Sequence, residues 1–254
     1  MSQVSRRTLI TTGLTAAAGF SGLGAAARLA RRYGLIPPDA GALYGAGGTL
    51  TYAAHRLLTR HSLAREFSRD QIAKDPFANV VDRLGGDFER LQRAGFADWR
   101  VVVDGMVSNP ASFSLAELRG FPMRSQITMI ACEEGWSYVA EWTGVPLSHV
   151  LDIAGVQPPA RYVVYRSIQP DWWDSIDMAD ATHPQTILTV GMNGGELPVP
   201  FGGPARLRVP RQLGYKNIKY VTRLTLTDDL KQFGAGLGSG IGGAEDGYAW
   251  YAGI

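Results

Sequence analysis

The sequence predicts an α+β domain built on a mixed sheet, and three observations predict it. Glycine and proline are abundant, 31 and 14 of 254 residues, which calls for many turns and disfavours a helical bundle. Segments such as Ala205 to Val209 and Ile218 to Leu226 alternate in period two, the pattern of half-buried strands. Between the strands lie short helical signals, among them a capping box in which Ser114 is followed three residues later by Glu117.

The elements follow in order. Ser5-Arg6-Arg7-Thr8-Leu9-Ile10 precedes an uncharged run from Leu9 to Ala27. This is the outline of a twin-arginine export signal, so residues 1–30 are read as a leader and the destination as the periplasm. The leader is either cleaved near Ala25-Ala26-Ala27 or kept as an anchor, since the run is long enough to stay in a bilayer. Membrane contact through the leader is expected only if it is uncleaved. Residues 31–60, with Pro37-Pro38 and Gly45-Ala46-Gly47-Gly48, read as a linker entering a short helix around Tyr52 to Thr59. Residues 61–254 form the main domain.

Within it, Arg100 to Val103 is a strand ending at Asp104-Gly105, and Ser114 to Leu118 is the capped helix. A strand from Gln126 to Ile130 runs into Cys132, which places the thiol just past a strand end. Pro146 to Ala154 reads as a helix, Tyr162 to Ser167 as a strand, and Asp171 to Asp180 as an irregular loop bearing tryptophans. Ile187 to Met192 closes in an Asn193-Gly194 hairpin turn. The last strand, Ile218 to Leu226, puts Ile218, Tyr220, Leu224 and Leu226 on one face.

Bulk properties exclude several functions. With 45% hydrophobic and 19% charged residues, the chain can bury a sizeable core. A net charge of +2 shows no basic footprint of a nucleic-acid binder. Gly238-Ser239-Gly240-Ile241-Gly242-Gly243 spells a dinucleotide-binding pattern but lacks the following βαβ context.

Cys132 is the single cysteine, and exported proteins ordinarily carry paired ones. A lone thiol is either a buried apolar side chain or a working thiolate. Its setting is Ala131-Cys132-Glu133-Glu134-Gly135-Trp136-Ser137, followed by Glu141-Trp142-Thr143-Gly144-Val145-Pro146-Leu147. A second block is Pro204-Ala205-Arg206-Leu207-Arg208-Val209-Pro210 with Gly214-Tyr215-Lys216-Asn217-Ile218-Lys219. In these two blocks, in this order, the chain resembles the sulfite oxidase family, in particular its exported bacterial branch. The resemblance runs from about Leu63 to Tyr251.

The resemblance implies a sulfite oxidase-type catalytic domain, here expected without the immunoglobulin-like dimerisation domain, holding molybdenum-molybdopterin. Cys132 would be the one protein ligand to a metal otherwise held by pterin sulfurs, and a soft thiolate suits that role. Cofactor contacts carried over by position are Glu66, Phe67, Ser167, Arg206, Lys216, Asn217, Ile218 and Lys219. For Ser167 a solvated strand end is the alternative. Arg206 and Arg208 point to one side of their strand, while Arg208 and Arg211 also fit a solvent-facing reading. Phe201 departs from the family, which places a polar residue there, and His183-Pro184 is either a supporting donor or a turn. Trp172, Trp173 and Asp174 fall where relatives line a substrate channel.

The activity implied is two-electron oxygen-atom transfer to or from a small sulfur- or oxygen-containing substrate. The sequence carries no haem-attachment or iron–sulfur cysteine set. A separate electron partner is therefore expected, and the resemblance implies that it is a membrane cytochrome b subunit or a cytochrome c. Two other readings stand beside this one: an envelope enzyme with Cys132 as nucleophile, and a member of the same fold that relays electrons without turnover.

Overall fold

The computed structural model describes residues 25–42, 45–79, 84–240 and 248–254. The twin-arginine motif and most of the apolar leader lie outside the described residues. Helix α1 (Gly45–Leu58) and helix α2 (Gly86–Arg93) precede the sheets. Strands β1 (Arg100–Gly105) and β2 (Ala111–Ser114) lead into α3 (Leu115–Gly120), and the long hairpin β3 (Arg124–Ala131) and β4 (Ser137–Pro146) leads into α4 (Leu147–Ala154). Then come β5 (Tyr162–Ser167), β6 (Trp173–Asp177), α5 (Met178–Ala181), β7 (Ile187–Met192), β8 (Gly195–Glu196), β9 (Arg206–Arg208) and β10 (Val221–Thr227).

Among the described residues the strands form two five-stranded sheets. The first runs β2-β1-β10-β5-β6 and is mixed, because β1 pairs parallel with β10. The second, β3-β4-β7-β8 with β9 beside β7, is antiparallel throughout. The main core lies on the inward face of the first sheet, where Val101, Val103, Tyr165, Leu224 and Leu226 pack with Val145, Leu147, Leu188 and Leu207. Strand β7 is buried at every residue, as expected of a strand covered on both faces. A smaller cluster of Ile130, Tyr138, Trp142 and Ile187 packs separately on the second sheet.

The capping box forms as the sequence predicts: Glu117 N donates to Ser114 Oγ and the Glu117 carboxylate accepts from Ser114 N. Asn193 and Gly194 take positive φ in the turn between β7 and β8. Two readings in the second half of the chain need correction. Residues 171–180 are not an irregular loop but hold β6 and α5, since Trp173 to Asp177 pairs with β5. Buried Asp174, Ser175 and Asp177 hide that strand from a hydropathy pattern. Strand β10 begins at Val221 rather than Ile218, because Tyr220 sits at φ 58° and breaks the extended run. Ile218, Tyr220, Leu224 and Leu226 are nonetheless all buried.

Strand β4 had no counterpart in the sequence reading. It bulges at Thr143/Gly144, where a Cβ on Gly144 would lie 2.3 Å from Leu188 O. Only glycine permits that approach. Helix α1 is longer than the sequence suggests and is held by Arg56, whose guanidinium pairs with Asp177 at 2.7 Å and Asp180 at 2.5 Å. Arg211 is buried, against its solvent-facing reading, and donates to the carbonyls of Thr59 and Arg60 just past the end of α1.

Candidate cofactor site

The β3–β4 hairpin pairs in register from Arg124↔Gly144 to Ala131↔Ser137, so Cys132 opens its tip. Cys132 N donates to Trp136 O at 2.9 Å and Gly135 N to Cys132 O at 3.1 Å, which makes the thiol-bearing turn a closed unit. The thiol donates to Glu133 Oε2 at 3.2 Å. Glu134 is held by Trp136 Nε1 at 2.7 Å and Asn79 Nδ2 at 3.0 Å. Gly214 backs the thiol: a Cβ there would meet Cys132 Cβ at 3.3 Å and Ala131 O at 3.4 Å.

In front of the thiol opens a cavity of about 340 Å³, walled by Cys132, Trp172, Arg206, Asn217, Ile218 and Lys219 among others. These six sequence-assigned residues come from four separate places in the chain. Arg206 on β9 donates to Phe201 O and Asn217 O, each at 2.7 Å. Arg208 lies beneath it, fully buried rather than on a solvated strand. It donates to Asn217 Oδ1 at 2.6 Å and to Thr128 Oγ1 and Met129 O, each at 3.1 Å. Both guanidinium groups stack on Trp142, 5.3 and 4.8 Å from the ring centroid. Lys219 donates to Pro200 O at 2.7 Å and to Asn79 O.

Among the described residues none of these three cations meets a carboxylate; their partners are neutral. The Nε atoms of Arg206 and Arg208 have no acceptor. Burial, joined by the mutual repulsion of neighbouring cations, disfavours the charge on Arg208 and pushes the Lys219 amine down to about 7. Burial likewise lowers Arg206. Clustered buried positive charge without a counter-charge is costly, and a bound anion is what relieves it. A phosphate-bearing group fits this cradle.

The thiol is set the opposite way from a nucleophilic cysteine. Burial, with the Glu133 and Glu134 carboxylates adding to it, pushes Cys132 up to about 12. Reactive cysteines are lowered by cations or a histidine, and no histidine lines the cleft among the described residues. Such a thiol becomes a thiolate when a metal ion takes the place of its proton.

Several assigned residues stand elsewhere. Lys216 is fully buried, its ammonium on Asp174 Oδ1 at 2.5 Å and Ser175 O at 2.9 Å, so its charge is committed to the interior and not to the cleft. Asp174 is the other half of that pair and lines no channel. Trp173 packs against Phe233 at 5.9 Å and lies under Gly240, so of the three channel residues only Trp172 reaches the cavity. Glu66 and Phe67 run along the edge of β3, with Glu66 bridging Thr128 and Phe67 N donating to Ile127 O at 2.9 Å. Neither lines the cavity. Ser167 Oγ accepts from Gln169 N at 3.0 Å and shapes the turn that presents Gln169 and Trp172. His183 is a turn residue: its Nδ1 accepts from Gln185 N at 3.3 Å and its Nε2 lies 3.2 Å from Ser62 O.

Phe201, the departure from the family pattern, keeps its carbonyl on Arg206 and turns its ring to Tyr138 at 5.9 Å. Sequence reasoning missed Tyr138, Gln169, Tyr215 and Tyr248, which also line the cavity. Nothing local distinguishes them from core aromatics or loop polar residues.

A two-sheet scaffold that holds one thiol and a cluster of uncompensated cations around a single cleft defines a domain for an anionic, metal-bearing cofactor. The family described as oxidoreductase molybdopterin binding domain matches residues 89–233, more than half the chain. The chain belongs to that family, the sulfite oxidase family of molybdopterin-dependent oxidoreductases, whose cofactor is molybdenum-molybdopterin.

It is 38% identical over 170 residues to a chain of Azospira oryzae provisionally named protein-methionine-sulfoxide reductase subunit YedZ1, covering 66% of this chain and 60% of that one. It is 35% identical over 149 residues to the protein-methionine-sulfoxide reductase catalytic subunit MsrP of Xanthomonas campestris pv. campestris, covering 53% and 46%. The sulfane dehydrogenase SoxCD of Paracoccus pantotrophus superposes with a TM-score of 0.51 at 27% identity, over 52% of this chain and 39% of that one. The chain thus spans between about half and three-fifths of the length of these curated relatives.

Proposed function

We propose that the chain is a cell-envelope enzyme catalysing two-electron oxygen-atom transfer on a small sulfur-containing substrate, with Cys132 as the single protein ligand to molybdenum. The observation that carries this reading is the pairing, around one cavity, of a lone thiol with buried and half-buried cations that meet no carboxylate among the described residues. The thiol answers the metal and the cations answer a phosphate.

When bound, molybdenum-molybdopterin supplies the two-electron redox chemistry and the site of oxygen transfer. The chain's own residues bind and orient. Arg206 and Lys219, with the backbone of Asn217 and Ile218, would hold the anionic end, while Arg208 buttresses Asn217 from below. Gly214 sets how far back the thiol sits. Trp172, exposed at the rim, and Tyr248 shape the entrance.

Sulfur is favoured as the reacting atom because the relatives are named for methionine sulfoxide and for a sulfane. In the reducing direction a sulfoxide, two electrons and two protons give a sulfide and water. The electrons come from a separate protein, a membrane cytochrome b subunit or a cytochrome c, and the twin-arginine leader directs the folded chain to the periplasm.

The decisive experiment produces the full chain in a host that makes the cofactor and measures metal and pterin. Wild type should carry roughly one molybdenum per chain, and Cys132→Ser should lose the metal while keeping its circular dichroism. Metal-free, pterin-free wild type from that host overturns the proposal. Dye-linked reduction of methionine sulfoxide against oxidation of sulfite then settles direction, and fractionation of an Arg6→Lys, Arg7→Lys double variant tests export.

A further inference from the structure

Helix α1 is built inside out. Its inward face carries Tyr52 and Arg56, both bound to Asp177, with Arg56 also on Asp180. Its outward face presents Leu50, Ala54, Leu57 and Leu58 and no charge, with Leu50 70%, Leu57 66% and Leu58 82% exposed. A helix facing water arranges these the other way round. An exposed run of large apolar side chains is an informative feature, whereas a single one is not.

Beside this face lies a groove of about 680 Å³, lined by Arg32, Tyr33, Leu57, Arg60 and Arg161 among others, and its one lining carboxylate, Asp177, is already paired with Arg56. Arg161 donates to Arg31 O at 3.1 Å, tying the segment before α1 to the start of β5. Arg32 and Arg60 have no carboxylate partner among the described residues. Between residues 25 and 65 the sequence holds six arginines against one acid, Asp39, and that carboxylate accepts from Trp250 N at 2.7 Å. The same stretch directly follows the uncharged run Leu9 to Ala27.

We propose that this face docks on an anionic bilayer surface, with α1 lying in the interface plane and the arginine groove taking a lipid headgroup phosphate. Apolar residues flanked by arginines, with acids nearly absent, are the signature of an interfacial helix. A second copy would satisfy the leucines but bring arginines against arginines. The docking is independent of whether the leader stays in the membrane, and it would hold the domain in a defined orientation on that surface.

The test is hydrogen–deuterium exchange of the full chain with vesicles of phosphatidylglycerol mixed with phosphatidylcholine and with phosphatidylcholine alone. Amides of residues 45–63 should slow roughly tenfold on the anionic vesicles only. Leader amides report anchoring separately. The Arg32→Gln, Arg60→Gln variant should need on the order of thirtyfold more anionic lipid for the same protection, from about 1 kcal/mol per arginine. Leu50→Gln, Leu57→Gln, both exposed, should lose the protection with the fold intact. Protection confined to the leader, equal protection on neutral vesicles, or protection that rises with protein concentration without lipid would each overturn the proposal, the last by assigning the face to a second copy.

Discussion

Lys219 offers the sharpest test of the anion cradle. Burial, reinforced by the charge of Arg206, pushes its amine down to about 7 from an ordinary 10.5. Its hydrogen-bond partners are the carbonyls of Pro200 and Asn79. An anion entering the cavity supplies the missing counter-charge and restores the proton, so binding takes up a proton wherever the free amine has lost it. The sign follows: affinity is full below pH 7 and falls as pH rises through 7, by up to tenfold per pH unit. With the bound amine still charged, the loss between pH 6 and pH 9 is on the order of a hundredfold, since each pH unit corresponds to about 1.4 kcal/mol.

The assay uses cofactor-free chain and sulfate, whose charge is constant across this range, read by tryptophan fluorescence because Trp136 and Trp172 line the cavity. Lys219→Met should bind weakly at every pH and show no slope. Sulfate affinity independent of pH in wild type, or an equal slope in the variant, refutes the reasoning.

Gly214→Val would press a branched side chain on Cys132 and Ala131. Overpacking of about 1–3 kcal/mol is expected, together with a fall in metal content larger than the fall in melting temperature would explain. Lys216→Met should cost about 3–5 kcal/mol by stranding Asp174 in the interior, visible as a lower denaturant midpoint. Sulfate affinity of the fraction that folds should be unchanged, because the ammonium does not reach the cavity. In cofactor-free chain the Cys132 thiol stays protonated below about pH 12, so alkylation by iodoacetamide at pH 8 should be far slower than that of a free cysteine. Rapid alkylation would restore the nucleophile reading.

Legibility varied with how local the determinants are. The Ser114 cap, the Asn193-Gly194 turn and the strand end before Cys132 could be read because neighbours a few residues apart set each of them. Strand β6 could not, since its polar residues are buried by partners far along the chain: Asp174 by Lys216 and Asp177 by Arg56. Strand β4 was missed although its tyrosine, tryptophan and valines favour a pleated surface. Glycine in a strand interior ordinarily weakens it, whereas Gly144 is what lets the strand approach β7.

The candidate site divides the same way. Sequence alone determined the family and the lone thiol at a strand end, and it named candidate residues for a phosphate cradle, because these are matters of residue type in a short context. Only the tertiary structure decided which of those residues share the cavity. Lys216 and Lys219 are three positions apart, yet one ammonium is locked on a buried carboxylate and the other meets only carbonyls at the cavity wall. Likewise Trp172 and Trp173 are adjacent, and only Trp172 reaches the cavity. A charge's role depends on what surrounds it in three dimensions, and those surroundings come from segments that nothing in the local pattern connects.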